Sequence, residues 1–248
     1  EAGRTATVQT VGLAPFRRGS WRVYGPFDGL KANTISDITS AADGTLWLAT
    51  EGSGVWTFDG QSFTNLTVRE GLAHDHVNGV TATTDGAMWL ATQGGATRYH
   101  DGRMTHLKKA DGLADDVVHA IHEARDGALL FATNNGVSRW IDGHFEAMPD
   151  MDPALAHGVT RLHQDRTGAI WYATDHVGLL RQASGETQHF NTRHGLGSPR
   201  DVPFLEALDG TMWFATVPGL ARHDGGTSTS FHILTGFPYI PMTDLHQS

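Results

Sequence analysis

Short apolar runs alternate with polar turn pairs along this chain, and the pattern returns at a nearly constant spacing. The anchor is Asp-Gly, two residues, an aromatic, one residue, then Ala-Thr. It reads Asp43-Gly44-Thr45-Leu46-Trp47-Leu48-Ala49-Thr50 on first appearance. It recurs at Asp85 to Thr92 with Trp89, and at Asp126 to Thr133, where Leu130-Phe131 replaces Trp-Leu. It recurs again at Thr167 to Thr174 with Trp171, and at Asp209 to Thr216 with Trp213. The anchor glycines, 44, 86, 127, 168 and 210, are 42, 41, 41 and 42 residues apart. A period in this range is the mark of stacked supersecondary units.

Each unit predicts four short strands. A Gly-Leu turn, as at Gly71-Leu72, leads to a first strand at 77–82. Asp85-Gly86 then makes a tight hairpin, because Asp-Gly supplies the positive φ angles of a type I′ turn. The second strand carries Met88 to Thr92, Gly94-Gly95 turns the chain, and the third strand runs from Ala96 to Tyr99. Asp101-Gly102 makes a second hairpin into a fourth strand, with counterparts at Asp59-Gly60, Asp142-Gly143, Ser184-Gly185 and Asp224-Gly225. Two hairpin signals per unit and no helical period predict a four-stranded antiparallel blade.

The ends of the chain complement each other. Residues 5–24 match the last three strands of a unit, with Thr10 aligned to Thr50, Gly12-Leu13 to Gly54-Val55, Phe16 to Phe58 and Trp21 to Phe63. Residues 234–248 match the missing first strand. The expected fold is therefore all-β: a six-bladed β-propeller, closed by N- and C-terminal strands that share one blade. The whole chain, residues 1–248, forms one domain, with blades at about 27–66, 67–107, 108–147, 148–190 and 191–231, and a composite blade from 232–248 plus 1–24. A fragment of a longer array is the alternative. Trp47, Trp89, Trp171 and Trp213 are expected in the apolar wedge between blades.

These residues resemble the two-component regulator propeller repeat, through Asp111-Gly112-Leu113 to Ile121 and Asp43 to Thr50. Streptogramin lyase-like β-propellers, virginiamycin B lyase among them, carry a related repeat. The regulator resemblance implies an extracytoplasmic sensor region that takes a saccharide. The expected closure at six blades departs from that family, whose rings more often have seven, and no kinase, membrane helix or output domain is expected within residues 1–248.

Composition narrows the partners. With 18 basic and 27 acidic residues the formal net charge is −9, which argues against a nucleic-acid stripe and a polybasic membrane patch. No apolar run approaches the length of a membrane span, so no membrane insertion is expected. Glu1-Ala2-Gly3-Arg4 lacks the apolar core of a signal peptide, which leaves a cleaved leader open. The absence of cysteine removes disulfides and thiolate metal sites, and fits either an exported or a cytoplasmic domain. The expected location is periplasmic or secreted.

Propeller topology gathers the loops entering the first strands with those after the second strands, on the face opposite the Asp-Gly hairpins. The entering loops contribute Asn33, His74-Asp75-His76, Asp115-Asp116, His157, Arg200 and Tyr239. The later loops contribute Glu51, Gln93, Asn134 and Asp175-His176. Side chains that differ at equivalent positions suit an asymmetric ligand pocket, and solvated loop residues are the plainer alternative. His74, Asp75, His76 and Asp116 are candidate ligands for a divalent metal ion. His122, His163 and His246 share one first-strand position, as channel-lining groups or as histidines bonded between blades. His119 and His122 lie on a strand and so face opposite sides.

No nucleophile elbow, zinc-protease motif, phosphate loop or dinucleotide fingerprint is present. The first functional reading is a binding module for a small polar molecule or saccharide, for which Tyr239 and Trp140 are the candidate stacking aromatics. The second is a metal-dependent lyase or hydrolase, with His157 or His76 as general base and Glu51, Asp116 or Asp175 orienting it. A scaffold for a protein partner is the third.

Overall fold

The computed structural model describes residues 22–32, 34–146, 148, 151–191, 203–216, 219–226 and 228–231. Within them the chain forms five antiparallel sheets of four strands, each laid down in chain order. The first comprises β1 (Ile35–Ser40), β2 (Leu46–Thr50), β3 (Val55–Phe58) and β4 (Phe63–Leu66). The second comprises β5 (Val77–Ala82), β6 (Met88–Thr92), β7 (Gly95–His100) and β8 (Arg103–Leu107). The third comprises β9 (Val118–Glu123), β10 (Leu129–Thr133), β11 (Gly136–Ile141) and β12 (His144–Glu146). The fourth comprises β13 (Val159–Gln164), β14 (Ile170–Thr174), β15 (Leu179–Ala183) and β16 (Glu186–Phe190). The fifth comprises β17 (Phe204–Glu206), β18 (Met212–Thr216), β19 (Gly219–His223) and β20 (Ser228–Phe231). The first strands of the first four sheets, β1, β5, β9 and β13, contact one another in succession. The expected composite sixth blade, 232–248 plus 1–24, lies outside the described residues except for 22–24.

The two hairpins of a unit differ in chemistry. Between the third and fourth strands, Asp101-Gly102, Asp142-Gly143 and Ser184-Gly185 all have positive φ at both residues, the requirement of a type I′ turn. Between the first and second strands only the glycine is left-handed, as at Gly44, Gly86, Gly127, Gly168 and Gly210. The expected type I′ turn there is replaced by a wider loop, in which Gly86 N–H bonds the Thr83 carbonyl and Thr83 N–H bonds the Ala87 carbonyl. The aspartate is needed for its side chain rather than its backbone. Asp85 Oδ1 accepts from Ala87 N–H at 3.0 Å, and Asp126 and Asp209 repeat the bond to Ala128 and Thr211.

The threonine closing the anchor is a turn staple. The hydroxyls of Thr50, Thr92, Thr133 and Thr174 donate to the carbonyls of Gly54, Gly95, Gly136 and Gly178 at 2.6–2.9 Å. Each also accepts a backbone N–H from its own turn. All four are fully buried, so the hydroxyl satisfies backbone groups that water cannot reach.

The core lies in the seams between sheets. Trp47 packs with Val80 and Met88 of the second sheet, Trp89 with Phe131 of the third, and Trp171 with Phe214 of the fifth. Trp213 departs from expectation. It is only partly buried, stacked on Phe231 of its own sheet at 5.9 Å, in the last of the described sheets. Ile38 shows the same effect from the other side. Its counterparts Val80, Ile121 and Leu162 are 5, 7 and 8% exposed, whereas Ile38 is 55% exposed.

Polar latches cross the seams where a first strand ends. Glu123 accepts the N–H and hydroxyl of Thr84, and Gln164 Oε1 accepts Arg125 N–H at 2.8 Å. Glu206 accepts Arg166 N–H at 3.0 Å and Arg166 Nε at 2.8 Å. At the first seam Ala82 occupies this position and can make no such bond. The Glu206 carboxylate is 11% exposed and holds three donors, counting the His163 ring. Glu206→Ala should lower stability by about 1.5–3 kcal/mol, the range for hydrogen bonds to a charged group. The loss should appear as a lower urea midpoint, with a smaller loss for the more exposed latch in Glu123→Ala.

Candidate functional site

Residues that follow a second strand meet those that enter a first strand, as propeller topology requires. In each of four sheets the residue after the staple threonine donates its N–H to the residue before the first strand. Glu51 bonds the Thr34 carbonyl, Gln93 that of His76, Asn134 that of Val117 and Asp175 that of Gly158, at 3.0–3.2 Å. A second set crosses the seams. Gly54 N–H bonds the Asp75 carbonyl, Gly95 N–H bonds the Asp116 carbonyl, and Glu51 bridges to His76. The result is a fixed backbone rim that presents Glu51, Gln93, Asn134 and Asp175 at equivalent places.

These four side chains differ in hydrogen-bonding character: two carboxylates that accept, and two amides that both donate and accept. Glu51 and Gln93 are exposed. Asn134 Oδ1 meets His119 Nε2 at 2.7 Å, drawing into the rim a histidine that the sequence pattern had placed only on a strand. Asp175 is half-buried beside Gly158. A Cβ at residue 158 would stand 2.3 Å from Asp175 Oδ2, so the glycine makes room for the carboxylate. His157 and His176 are exposed on either side of this pair.

Other expected site residues have structural duties. Asp75 Oδ1 accepts Val68 N–H at 2.8 Å, and Asp116 Oδ1 accepts Lys109 N–H at 2.7 Å. Both carboxylates thus pin the preceding Gly-Leu loop seven residues back. His74 Nδ1 accepts His76 N–H at 2.9 Å, just as Asp115 Oδ1 accepts Val117 N–H at 3.0 Å. His74, Asp75, His76 and Asp116 therefore do not converge. Among the described residues no three histidine or carboxylate groups gather where they could hold a metal ion. Nor, among the described residues, does the ring of His157 or of His76 hydrogen-bond to a carboxylate. Asn33, Arg200 and Tyr239 lie outside the described residues.

Deeper along the first strands, side chains join neighbouring sheets. Ser36 Oγ donates to the Val77 carbonyl, Asn78 Nδ2 to the Val118 carbonyl and Thr81 Oγ1 to the Ile121 carbonyl, at 2.6–2.7 Å. Asp37 Oδ2 accepts Val80 N–H at 2.9 Å. Of the three first-strand histidines His246 lies outside the described residues, and the other two are likewise bonded between sheets. His122 Nε2 accepts Gln164 N–H at 3.2 Å, and His163 Nε2 meets Glu206 Oε2 at 3.2 Å. The two rings stand edge to face with centroids 5.6 Å apart. Burial, followed by the charge of His163, lowers the His122 pKa to about 4, despite an opposing pull from Glu123. A cavity of about 280 Å³ opens beside them, lined by Ala120, Arg161, His163, Phe204 and Glu206. Sequence spacing identified the shared histidine position; the acid partner Glu206 comes from the next repeat and left no local signal.

One segment, from the Gly29-Leu30 turn through β2, matches a family model. Residues 29–52 match the two-component regulator propeller. Solved propellers carry the likeness over most of the chain. The extracellular domain of the hybrid two-component system BT3049 from B. thetaiotaomicron is 21% identical, with a TM-score of 0.73 over 85% of this chain. Virginiamycin B lyase from Staphylococcus aureus, solved as an inactive H270A variant with quinupristin, is 18% identical, with a TM-score of 0.62 over 80%. PorZ, a surface component of the type-IX secretion system of Porphyromonas gingivalis, is 15% identical, with a TM-score of 0.62 over 84%. The chain spans 31% of the BT3049 structure and 69% of the lyase. Likeness at this identity establishes the propeller fold. No curated protein sequence matches the chain.

Acid should weaken the histidine seam. Below its ordinary pKa of 6.5 the unfolded His122 binds a proton that the folded ring refuses until about pH 4. Its contribution is complete above pH 6.5 and falls away as pH drops toward 4. The loss should amount to roughly 2–3 kcal/mol. Urea midpoints measured from pH 7 to pH 4.5 should drop more steeply in the native protein than in His122→Gln.

Proposed function

We propose that this chain is a ligand-binding propeller of the sensor type, with a small polar molecule, most naturally a saccharide, held at the rim formed by Glu51, Gln93, Asn134 and Asp175. The observation that carries this reading is the rim itself. Four backbone sites are identical in their hydrogen bonding, yet the side chains they present are all different. Mixed donors and acceptors on a rigid frame suit a ligand with several hydroxyl groups. His157 and His176, exposed beside Asp175, extend the same surface.

The reading takes the ring to be six sheets, with residues 232–248 and 5–24 supplying the sheet that precedes β1. The 55% exposure of Ile38, at a position buried in the next three sheets, supports an apolar partner there. An extracytoplasmic setting is supported by the regulator likeness, since the BT3049 and BT4673 structures are extracellular domains. Among the described residues no helix is long and apolar enough to cross a membrane.

A lyase or hydrolase is the second reading, supported by the exposed His157 at the rim and by the shared fold with virginiamycin B lyase. One experiment separates the two. The chain is titrated calorimetrically with a panel of neutral oligosaccharides, before and after exposure to EDTA, and each mixture is assayed for products. Saturable binding, unaffected by EDTA and weakened at least tenfold in Gln93→Ala and Asn134→Ala, is expected. Product formation that His157→Ala abolishes would replace the sensor reading with the enzymatic one.

A further inference from the structure

We infer a second saccharide subsite on the opposite face, in the seam between the second and third sheets, where a sugar ring lies against Trp140 and accepts a hydrogen bond from the Trp89 indole. The place is a cavity of about 580 Å³ by the hairpin turns, lined by Trp89, Trp140, Asp85, Arg98, His106 and Glu123 among others. That volume falls within the range of sites for small organic ligands.

Three observations build it. The first is an unanswered donor. Trp171 Nε1–H bonds Asp165 Oδ2 at 2.9 Å, and Trp213 Nε1–H bonds Thr211 Oγ1 at 3.1 Å. Trp89 occupies the same place in its repeat but has Thr83 where Trp171 has Asp165. The Thr83 hydroxyl donates to Asp85 Oδ1 and the Ala87 carbonyl, at 2.6 and 3.0 Å, and makes no bond to the Trp89 indole. Trp89 is only 4% exposed, and among the described residues its N–H has no acceptor. Only the Trp56 indole is both fully enclosed and unbonded among those residues, so the Trp89 N–H opens to the cavity.

The second is a displaced ring. At the first seam Tyr99 closes onto Trp47, with centroids 5.1 Å apart. Trp140 is the register counterpart of Tyr99, paired with Leu129 as Tyr99 is with Met88. It packs instead edge-on against Phe145, with centroids 4.8 Å apart, and no ring contact joins it to Trp89. With Tyr99 laid on Trp47 the cavity at the first seam is about 440 Å³, against about 580 Å³ at the next.

The third is the polar perimeter. Arg98 and Asp85 pair at 2.8 Å and offset each other's charge, while Glu123 is occupied by Thr84. Thr97 Oγ1 accepts Ala73 N–H and meets His106 Nδ1 at 3.2 Å, and the His106 ring lines the cavity. An aromatic face with donors and acceptors in mixture matches a sugar ring, and the Glu123 and Asp142 carboxylates in the lining disfavour an anion.

The test uses the whole chain labelled with ¹⁵N at the tryptophan indoles, titrated with maltotriose, cellotriose, xylotriose and mannotriose. With at least one of them, the Trp89 N–H resonance should shift saturably while that of Trp171 stays. Trp140→Ala should raise Kd at least tenfold, and Trp89→Phe, which keeps the packing and removes the donor, about fivefold. Trp140→Phe serves where the alanine variant fails to fold, with a smaller rise expected. No saturable shift with any trisaccharide, or a shift whose Kd the Trp140 and Trp89 variants leave unchanged, overturns the subsite. A response that Gln93→Ala abolishes while Trp140→Ala leaves it intact places the sugar at the rim and overturns the subsite alone.

Discussion

The seam between neighbouring sheets is the contact on which the structure depends. A four-stranded sheet of this size cannot bury both faces by itself, so each must lie against the next. Aromatics of one repeat fill the apolar half of a seam, as Trp171 does against Phe214. Hydrogen bonds from first-strand side chains fill the polar half, as Asn78 and Thr81 do against the Val118 and Ile121 carbonyls. The first strands are thereby held in succession, and every loop that could carry function inherits its position from them.

The seams are alike in plan and unlike in detail, and the unlikeness is where chemistry collects. The latch that Glu123, Gln164 and Glu206 supply is absent where Ala82 stands. The acceptor that Asp165 gives Trp171 is withheld from Trp89. The ring that Tyr99 lays on Trp47 has no equivalent between Trp140 and Trp89. Each difference is a single substitution within a repeating frame. Each leaves either a cavity or an unanswered polar group, and an unanswered group near water is an invitation to a ligand. The rim follows the same logic with Glu51, Gln93, Asn134 and Asp175, whose backbones are interchangeable and whose side chains are not.

Carboxylates and histidines that look reactive in the sequence divide in the fold into those that hold the chain and those that face outward. Asp75 and Asp116 cap the loops seven residues before them, and His74 folds its ring onto His76 N–H. The first-strand histidines are links between sheets, His122 as an acceptor and His163 tied to Glu206. The exposed rim groups bear no comparable load, which leaves them available to a ligand.

Much was legible in the sequence because the repeat carries its own punctuation. The period of the anchor glycines, the two turn pairs and the alternation between them determined five four-stranded antiparallel sheets, and local backbone chemistry is sufficient for that. The Asp-Gly pairs were legible as turns but not as two kinds of turn. Only the wider loop lets the aspartate side chain cap its own backbone, a choice made by the twist and width of the paired strands. What the tertiary structure alone decided is which side chains share a seam. Glu206 meets His163 and Arg166 across about forty residues, and Trp89, with Thr83 in the place of Asp165, opens its indole N–H to the cavity. Contacts between repeats depend on the packing of whole sheets, and no local pattern along the chain records them.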